Sequence, residues 1–462
     1  MSSSATGDTA AGFAAPAEAG GSPTLDCIST SSKCQVSLAL FYGCFACLAV
    51  VMAASWVSPL PVLLQMGLYT APIIYVGSHL SLKQNEVDAI TGEKVNRGES
   101  MDRTDAMLFP VFGSIALFSL YLAYKFLGAV WVNMLLTLYL SGVGLVALGE
   151  TIFAVARPLC SPSFHDDSWF VVHLPNRLLW IRQWLAGASA KSEQPQQQEG
   201  EEAKEEKGKG EDKKTKEKEE AMEEPHEQRG AADLTWRFSP LWVLSHLAAL
   251  GICGLWLVTK HWALHNILAI AFCIQAIAIV SVGSFGVASI LLCGLFVYDV
   301  FWVFGTEVMV SVAKAFEGPA KLIFPVQLSP LQYSILGLGD IVIPGVLIAM
   351  CLRFDNYLHH QQQNAATESH AVDIHQRFAK FYFCVVLCFY ELGLLTTGIV
   401  MLAAQHPQPA LLYLVPYCLF SLFGAAALNG KVKEVLAYKE EGENTESSAK
   451  PLAQDPTEKK EN

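Results

Sequence analysis

Residues 296–306 read FVYDVFWVFGT and residues 336–345 read LGLGDIVIPG. Each places one carboxylate, Asp299 or Asp340, inside an apolar run long enough to cross a bilayer. An ionised carboxylate in hydrocarbon costs roughly 3 kcal/mol or more, so one retained there faces a water-lined cavity or a partner and marks function. The two runs, Phe285 to Phe304 and Tyr333 to Leu352, are consecutive and therefore antiparallel. Counted from the loop they share, Asp299 is about five residues inside and Asp340 about seven, which at ~1.5 Å per residue puts both about 8–11 Å deep. The spacing predicts that they meet at one level.

Two carboxylates brought within a few ångströms cannot both ionise cheaply, so they share a proton and titrate as a coupled pair. That is the acid–base arrangement of an aspartic protease, in which one carboxylate takes a proton from the attacking water and its protonated partner donates to the developing oxyanion. Gly337 and Gly339 remove side chains beside Asp340, so a substrate backbone can come close. Pro344 has no N–H to give to the Asp340 carbonyl and is expected to open the helix there.

With QPALLYLVP at 408–416, which carries Pro409-Ala410-Leu411, these stretches resemble the three signatures of the presenilin-related intramembrane aspartyl proteases. The wording around each is most similar to signal peptide peptidase, over roughly Leu60 to Tyr438. The resemblance implies a presenilin-like, all-α polytopic fold, Asp299 and Asp340 as catalytic residues, and Tyr298, Gly337, Leu338, Gly339, Pro409, Ala410 and Leu411 as residues that shape the site and receive substrate. It implies no metal and no cofactor. The partners it implies are transmembrane signal-peptide substrates and bilayer lipid, with a homo-oligomer and endoplasmic-reticulum quality-control proteins as further expectations. The substrates it implies are signal peptides already released by signal peptidase, and short membrane anchors.

Composition agrees. Of 462 residues, 52% are hydrophobic and 16% charged, too apolar for an ordinary soluble protein. The net charge of −12 comes largely from loops and tails, and no basic patch is interleaved with aromatics, so nucleic acid is not an expected partner. Most of the 12 cysteines, Cys253, Cys273, Cys293, Cys384, Cys388 and Cys418 among them, lie in apolar runs, where Cys behaves as a small hydrophobe. Cys44 and Cys47 form a C-x-x-C without partner His or Cys, and Cys27 and Cys34 are able to pair if that end is lumenal.

In chain order, 1–58 is a polar leader followed by the apolar run Val36 to Ala54, which is either the h-region of a cleaved signal peptide, with the mature chain starting near Ser55 or Trp56, or an additional span. Residues 59–190 hold the spans Leu60 to Leu80, Ala106 to Tyr124 and Ala129 to Val155, with the loop that follows. Residues 191–234 are a linker, Glu/Lys/Gln-rich over 191–230. Residues 235–438 hold Pro240 to Val258, Trp262 to Val280, the two Asp-bearing spans, Phe381 to Leu402 and Ala410 to Leu428, and 439–462 form a polar tail. That predicts nine spans after the N-terminal run.

Short cytoplasmic segments are enriched in Lys and Arg. One side collects Lys83, Lys94, Arg97, Arg103, Arg157, Arg177, Arg182, Arg353, Arg377, Lys380, Lys431 and Lys433; the other has Lys125, Lys260, Lys314 and Lys321. The first side is expected to be cytosolic, with the C-terminus there and both aspartates nearer the lumenal face. The ending Lys459-Lys460-Glu461-Asn462 resembles a dilysine endoplasmic-reticulum retrieval signal.

Glu150, Glu391 and His246 are the other polar groups of note in or near spans, read as interhelical hydrogen-bonding or interfacial residues. The rival to a protease is a proton-coupled transporter or channel, in which membrane Asp pairs relay protons; no inverted repeat is visible in the hydropathy. A catalytically inert chaperone of membrane segments is a third class that keeps the same motifs.

Overall fold

A computed structural model describes residues 31–58, 60–82, 101–161, 164, 170–173, 235–328, 331–364, 378–404 and 408–440. The charged run 191–230, Cys27 and Lys459-Lys460 lie outside them. The helices are α1 (Ser31–Val57), α2 (Val62–Ser81), α3 (Arg103–Leu127), α4 (Ala129–Ala156), α5 (Pro240–Thr259), α6 (Trp262–Ile279), α7 (Phe285–Phe304), α8 (Val308–Ala315), α9 (Gly339–Asn364), α10 (Phe381–Ala404), α11 (Leu411–Leu428) and α12 (Val432–Ala437). Two antiparallel hairpins, β1 (Phe170–His173) with β2 (Thr235–Phe238) and β3 (Lys321–Leu328) with β4 (Leu331–Gly337), complete the described chain.

The helices are apolar runs with polar punctuation. Asp102 and Asp105 form a capping box at the start of α3, and Ser284 Oγ accepts the Val287 N–H at the start of α7. Chain breaks fall at left-handed residues: Gly128 (φ 85°) between α3 and α4, Lys260 (φ 50°) between α5 and α6, and Gly430 (φ 67°) after α11.

Two compact units divide the chain: Met1–Ile152 with Ala248–Asn462, and Phe153–Leu247. The second holds the end of α4, a 3₁₀ turn at Arg157–Leu159, the β1–β2 hairpin and the start of α5, where His246 Nδ1 lies 3.0 Å from the Trp242 carbonyl and its ring stacks on Trp242. In the first unit α9 is central and touches α2, α6, α7, α10, α11 and β4. Helices α2, α6 and α9 converge on Ile277, because Gly77 and Gly345 leave the room it fills: a Cβ on Gly345 would lie 2.6 Å from Ile277 Cδ1. Cys253, Cys273, Cys351 and Cys418 are buried free thiols.

Among the described residues nine helices are long and apolar enough to cross a membrane, but they are not the nine expected. Leu38–Val57 within α1 qualifies, and α2, the expected first span, falls short of the apolarity although it is a helix of 20 residues. Its buried Gln65, Thr70, Ser78 and His79 lower its hydropathy, and they are tolerated because α2 lies inside protein. Helix α1 packs on α2, and Ser55, expected at a cleavage point, is fully buried with its Oγ 3.3 Å from Gln65 Oε1.

The expected span from Tyr333 to Leu352 is corrected. Residues 331–337 are strand β4, paired with β3 from Lys321↔Gly337 to Leu328↔Leu331 with a register shift between Pro325 and Gln327, and the helix begins only at Gly339. It then runs past Leu352 to Asn364, because Arg353 and Asp355 find partners: Arg353 Nε donates to Glu440 Oε1 (2.6 Å), and Asp355 accepts the Tyr382 and Phe383 N–H groups that open α10. Asp340 therefore follows a strand rather than two turns of helix, and its depth is not set by a helical rise from the loop.

Met101, Val282–Ser284 and Lys439–Glu440, all assigned to one side, bridge one another through Met101 N–H to Ser281 O, Gly283 N–H to Met101 O and Glu440 N–H to Gly283 O. On the other side Gln65, His265 and Asn266 all reach β3.

Candidate active site

Asp299 sits on α7 and is buried at 4% exposure. Its Oδ2 accepts the backbone N–H of Leu411 at 3.1 Å. Leu411 is the first residue of α11, where backbone N–H groups have no partner within the helix and the dipole favours an anion. Pro409 and Ala410 set this up: the Pro409 carbonyl accepts the Leu412 N–H and the Ala410 carbonyl those of Tyr413 and Leu414, which turns the first N–H of α11 toward Asp299. The first and third sequence signatures are thus joined by one hydrogen bond.

Asp340 lies in the first turn of α9, directly after β4. Leu338 starts that turn, its carbonyl accepting from Ile341 (3.1 Å) and Val342 (2.8 Å), while its own N–H reaches the Ala320 carbonyl (3.3 Å). A Cβ on Gly337 would sit 3.3 Å from Asp340 Oδ2, so the missing side chain leaves the carboxyl clear. Gly339 is exposed, and Gly337, Leu338 and Asp340 are half-buried, so the pair opens on the glycine side and is closed on the Asp299 side. Helices α7 and α9 touch, and Asp340 lies within Coulombic reach of Asp299.

Of the residues expected at the site, Asp299, Asp340, Gly337, Leu338, Gly339, Pro409, Ala410 and Leu411 are assembled by α7, β4–α9 and the start of α11. Tyr298 packs against α3. With Gly294 and Trp302 it forms the stripe of α7 that holds α3: Gly294 faces Pro110, Tyr298 lies against Gly113, and Trp302 Nε1 donates to Ser114 Oγ (3.0 Å). It lies one helical position away from Asp299.

Pro344 does not open α9, which continues through it; the Asp340 carbonyl it leaves without an N–H receives the Tyr390 hydroxyl at 3.2 Å. Tyr390 was missed by the sequence reading, and the signal that points to it is the proline itself, which announces a carbonyl in need of a donor. Glu391, next to it, accepts from Thr70 Oγ1 at 2.8 Å and ties α10 to α2. Glu150 is half-buried on α4. Among the described residues no group of three or more His, Cys, Asp or Glu is arranged to hold a metal ion.

The model of the family described as signal peptide peptidase matches residues 93–442, about three-quarters of the chain. The chain belongs to the signal peptide peptidase family. Mouse signal peptide peptidase is 33% identical over 79% of this chain and 82% of its own length, and the human protein is 33% identical over 74% of each. Intramembrane protease 2 of Caenorhabditis elegans is 41% identical over 40% of each chain. The protein is accordingly a multi-pass intramembrane aspartic protease of the signal peptide peptidase family. The matched segment contains Asp299, Asp340 and Pro409-Ala410-Leu411 and leaves α1 and α2 outside it.

Proposed function

We propose that this chain cuts signal peptides, after their release by signal peptidase, and short membrane anchors within the endoplasmic-reticulum membrane, with Asp299 and Asp340 sharing one proton as the catalytic pair. The observation that supports the reading is the Asp299–Leu411 hydrogen bond, which ties one carboxylate to the third signature segment, on a helix that touches the one carrying Asp340. With Oδ2 of Asp299 occupied, Oδ1 is the oxygen left to exchange a proton with water. Water attacks the peptide carbonyl as one carboxylate takes its proton, and the protonated partner donates to the carbonyl oxygen.

A helical peptide bond is shielded by its own hydrogen bonds, so the substrate unwinds first. The β3–β4 hairpin offers such a segment a place. The inner edge of β3 is held by Asn266, which exchanges two hydrogen bonds with Ile323, by His265 at the Lys321 carbonyl and by Gln65 at the Pro325 carbonyl. The free edge of β4 has no strand partner among the described residues and runs straight into Leu338-Gly339-Asp340. An extended peptide added there is delivered to the pair.

The charge distribution supports a cytosolic C-terminus, and the dilysine ending supports retention in the endoplasmic reticulum. The burial of Ser55 supports a retained α1, with its N-terminus cytosolic; N-terminal sequencing that returned Ser55 or Trp56 would refute that part. The decisive test is cleavage of a labelled signal peptide by the purified protein in detergent. A transporter needs a sealed membrane, whereas hydrolysis does not. Parent-like cleavage by Asp299→Ala or Asp340→Ala, correctly inserted, would overturn the reading.

A further inference from the structure

We infer that Tyr390 is a positioning residue for Asp340, acting through the Asp340 backbone carbonyl; the inference rests on the reading that Asp340 is catalytic. In a regular α-helix the carbonyl of Asp340 accepts the N–H four residues on. Here that residue is Pro344, which has none. In the same turn the chain arrives through Gly337 and Gly339, the residues least able to hold a backbone in one conformation. The Asp340 carbonyl therefore lacks its regular helical donor, and the chain enters its turn through two flexible residues.

Tyr390 supplies the missing restraint from another helix. It is fully buried on α10, and its hydroxyl donates to the Asp340 carbonyl at 3.2 Å. Without that bond a fully buried phenol would have no acceptor, a costly state, and the Asp340 carbonyl would have no donor in the place of the one that Pro344 lacks. Asp355 fastens the same two helices about four turns further along α9, through the Tyr382 and Phe383 N–H groups. Helix α10 thus holds α9 at two levels, and the bond from Tyr390 sets where the first turn, and with it the Asp340 carboxyl, stands relative to Asp299. Nothing places the Tyr390 hydroxyl on substrate, so its effect reaches the reaction only through Asp340.

The proposal separates a backbone hydrogen bond from mere packing, because the proline offers a second way to satisfy the same carbonyl. Tyr390→Phe keeps the ring and deletes the donor. Pro344→Ala restores an N–H at the position from which a helix supplies one. Signal-peptide cleavage is measured in detergent, across pH, for the full-length parent, Tyr390→Phe, Pro344→Ala and the double variant, with Asp340→Ala as reference. The expected result is a kcat lowered about tenfold in Tyr390→Phe, as for a modestly misplaced catalytic group, with KM unchanged and an altered pH–rate profile. The loss from Tyr390→Phe should shrink to about twofold or less when Pro344→Ala is present. A kcat for Tyr390→Phe within twofold of the parent overturns the inference, and so does an equal loss in both backgrounds, which would assign the effect to packing. If Tyr390→Phe fails to insert, Tyr390→His, which keeps a ring and a donor, replaces it, and recovery of activity relative to Tyr390→Ala is the deciding readout. Activity in Asp340→Ala is a different failure and removes the reading on which this one stands.

Discussion

Helices α3 and α9 have nearly the same length, 25 and 26 residues, and each contains a proline, yet they occupy opposite environments. Of the most apolar 18 residues of α9, 78% are enclosed by protein; for α3 the share is 6%, and Ala106 is its one buried residue. The enclosed helix is the less apolar. It carries Asp340, Arg353 and Asp355, each with a partner in its side chain or its carbonyl, whereas α3 turns Phe109, Phe112, Ile115 and Phe118 outward. Lipid tails are as apolar as Leu, so moving an apolar side chain from lipid into protein gains little, and the interior of a membrane protein is held by small residues and hydrogen bonds. Polarity in a span therefore marks the centre, and strong hydropathy the rim.

The sharpest break of that comparison is at the pair itself. Asp299→Ala, Asp340→Ala and the double variant should each lower signal-peptide cleavage at least about a thousandfold, and the double should be no worse than either single, because the two carboxyls act as one unit. Asn at either position should be as damaging, since it keeps the shape and cannot exchange the proton. Expression and membrane insertion should persist, because removing a buried carboxyl also removes its desolvation cost. Additive losses in the double variant would show two independent groups.

A step smaller is overpacking where α2, α6 and α9 meet. Gly345→Val drives a side chain into Ile277 and should lower stability in detergent by about 1–3 kcal/mol. Gly142→Val on α4, where nothing lies within 4 Å of the added Cβ, should change it by only a few tenths. Thermal unfolding of the two variants side by side decides it, and equal shifts would mean that α9 is no more enclosed than α4.

Much of this was legible in the sequence, and the physical reasons for what was not differ by element. Asp299 and Asp340 stood out because a carboxylate in an apolar run needs a reason, whereas Pro409-Ala410-Leu411 stood out only through its resemblance to the family's third signature. Strand β4 did not: Tyr333 to Leu352 is as apolar as a helical span, and apolarity carries no period that separates a buried strand from a helix. What makes 331–337 a strand is its pairing with β3, a contact invisible to any local window. Helix α2 was found where a span was expected, but its enclosure was not legible, since only the fold shows Gln65 holding Pro325 and Thr70 holding Glu391. Tyr390 carries no local signal of its own; only Pro344, on another helix, implies it.

Glu391 tests whether a central carboxyl must be catalytic. It is held by Thr70 Oγ1, and a Cβ on Gly67 would lie 3.3 Å from its Oε2, so it is packed as a tie between α10 and α2. Glu391→Gln keeps that bond and should leave most of the activity, with a stability change under about 1 kcal/mol. A loss as large as that of Asp340→Ala would move Glu391 into the reaction.

The smallest effects belong to α3, where two adjacent residues face opposite surroundings. Ser114 receives the Trp302 indole N–H at 3.0 Å and gives its own proton to the Pro110 carbonyl at 2.8 Å, which docks α3 on the helix that carries Asp299. Ile115, next along, is 58% exposed on the outer face. Replacing Ser114 by Val keeps the size and leaves the indole N–H without an acceptor, at a cost of about 1 kcal/mol, since interhelical hydrogen bonds in membranes are individually modest. Replacing Ile115 by Ala should change stability by only a few tenths, because the methyls it loses exchange one apolar surrounding for another. Thermal unfolding in lipid nanodiscs compares the two. A larger loss from Ile115→Ala than from Ser114→Val would show that the outer face of α3 is covered by something other than lipid, and the contrast between α3 and α9 would then have to be redrawn.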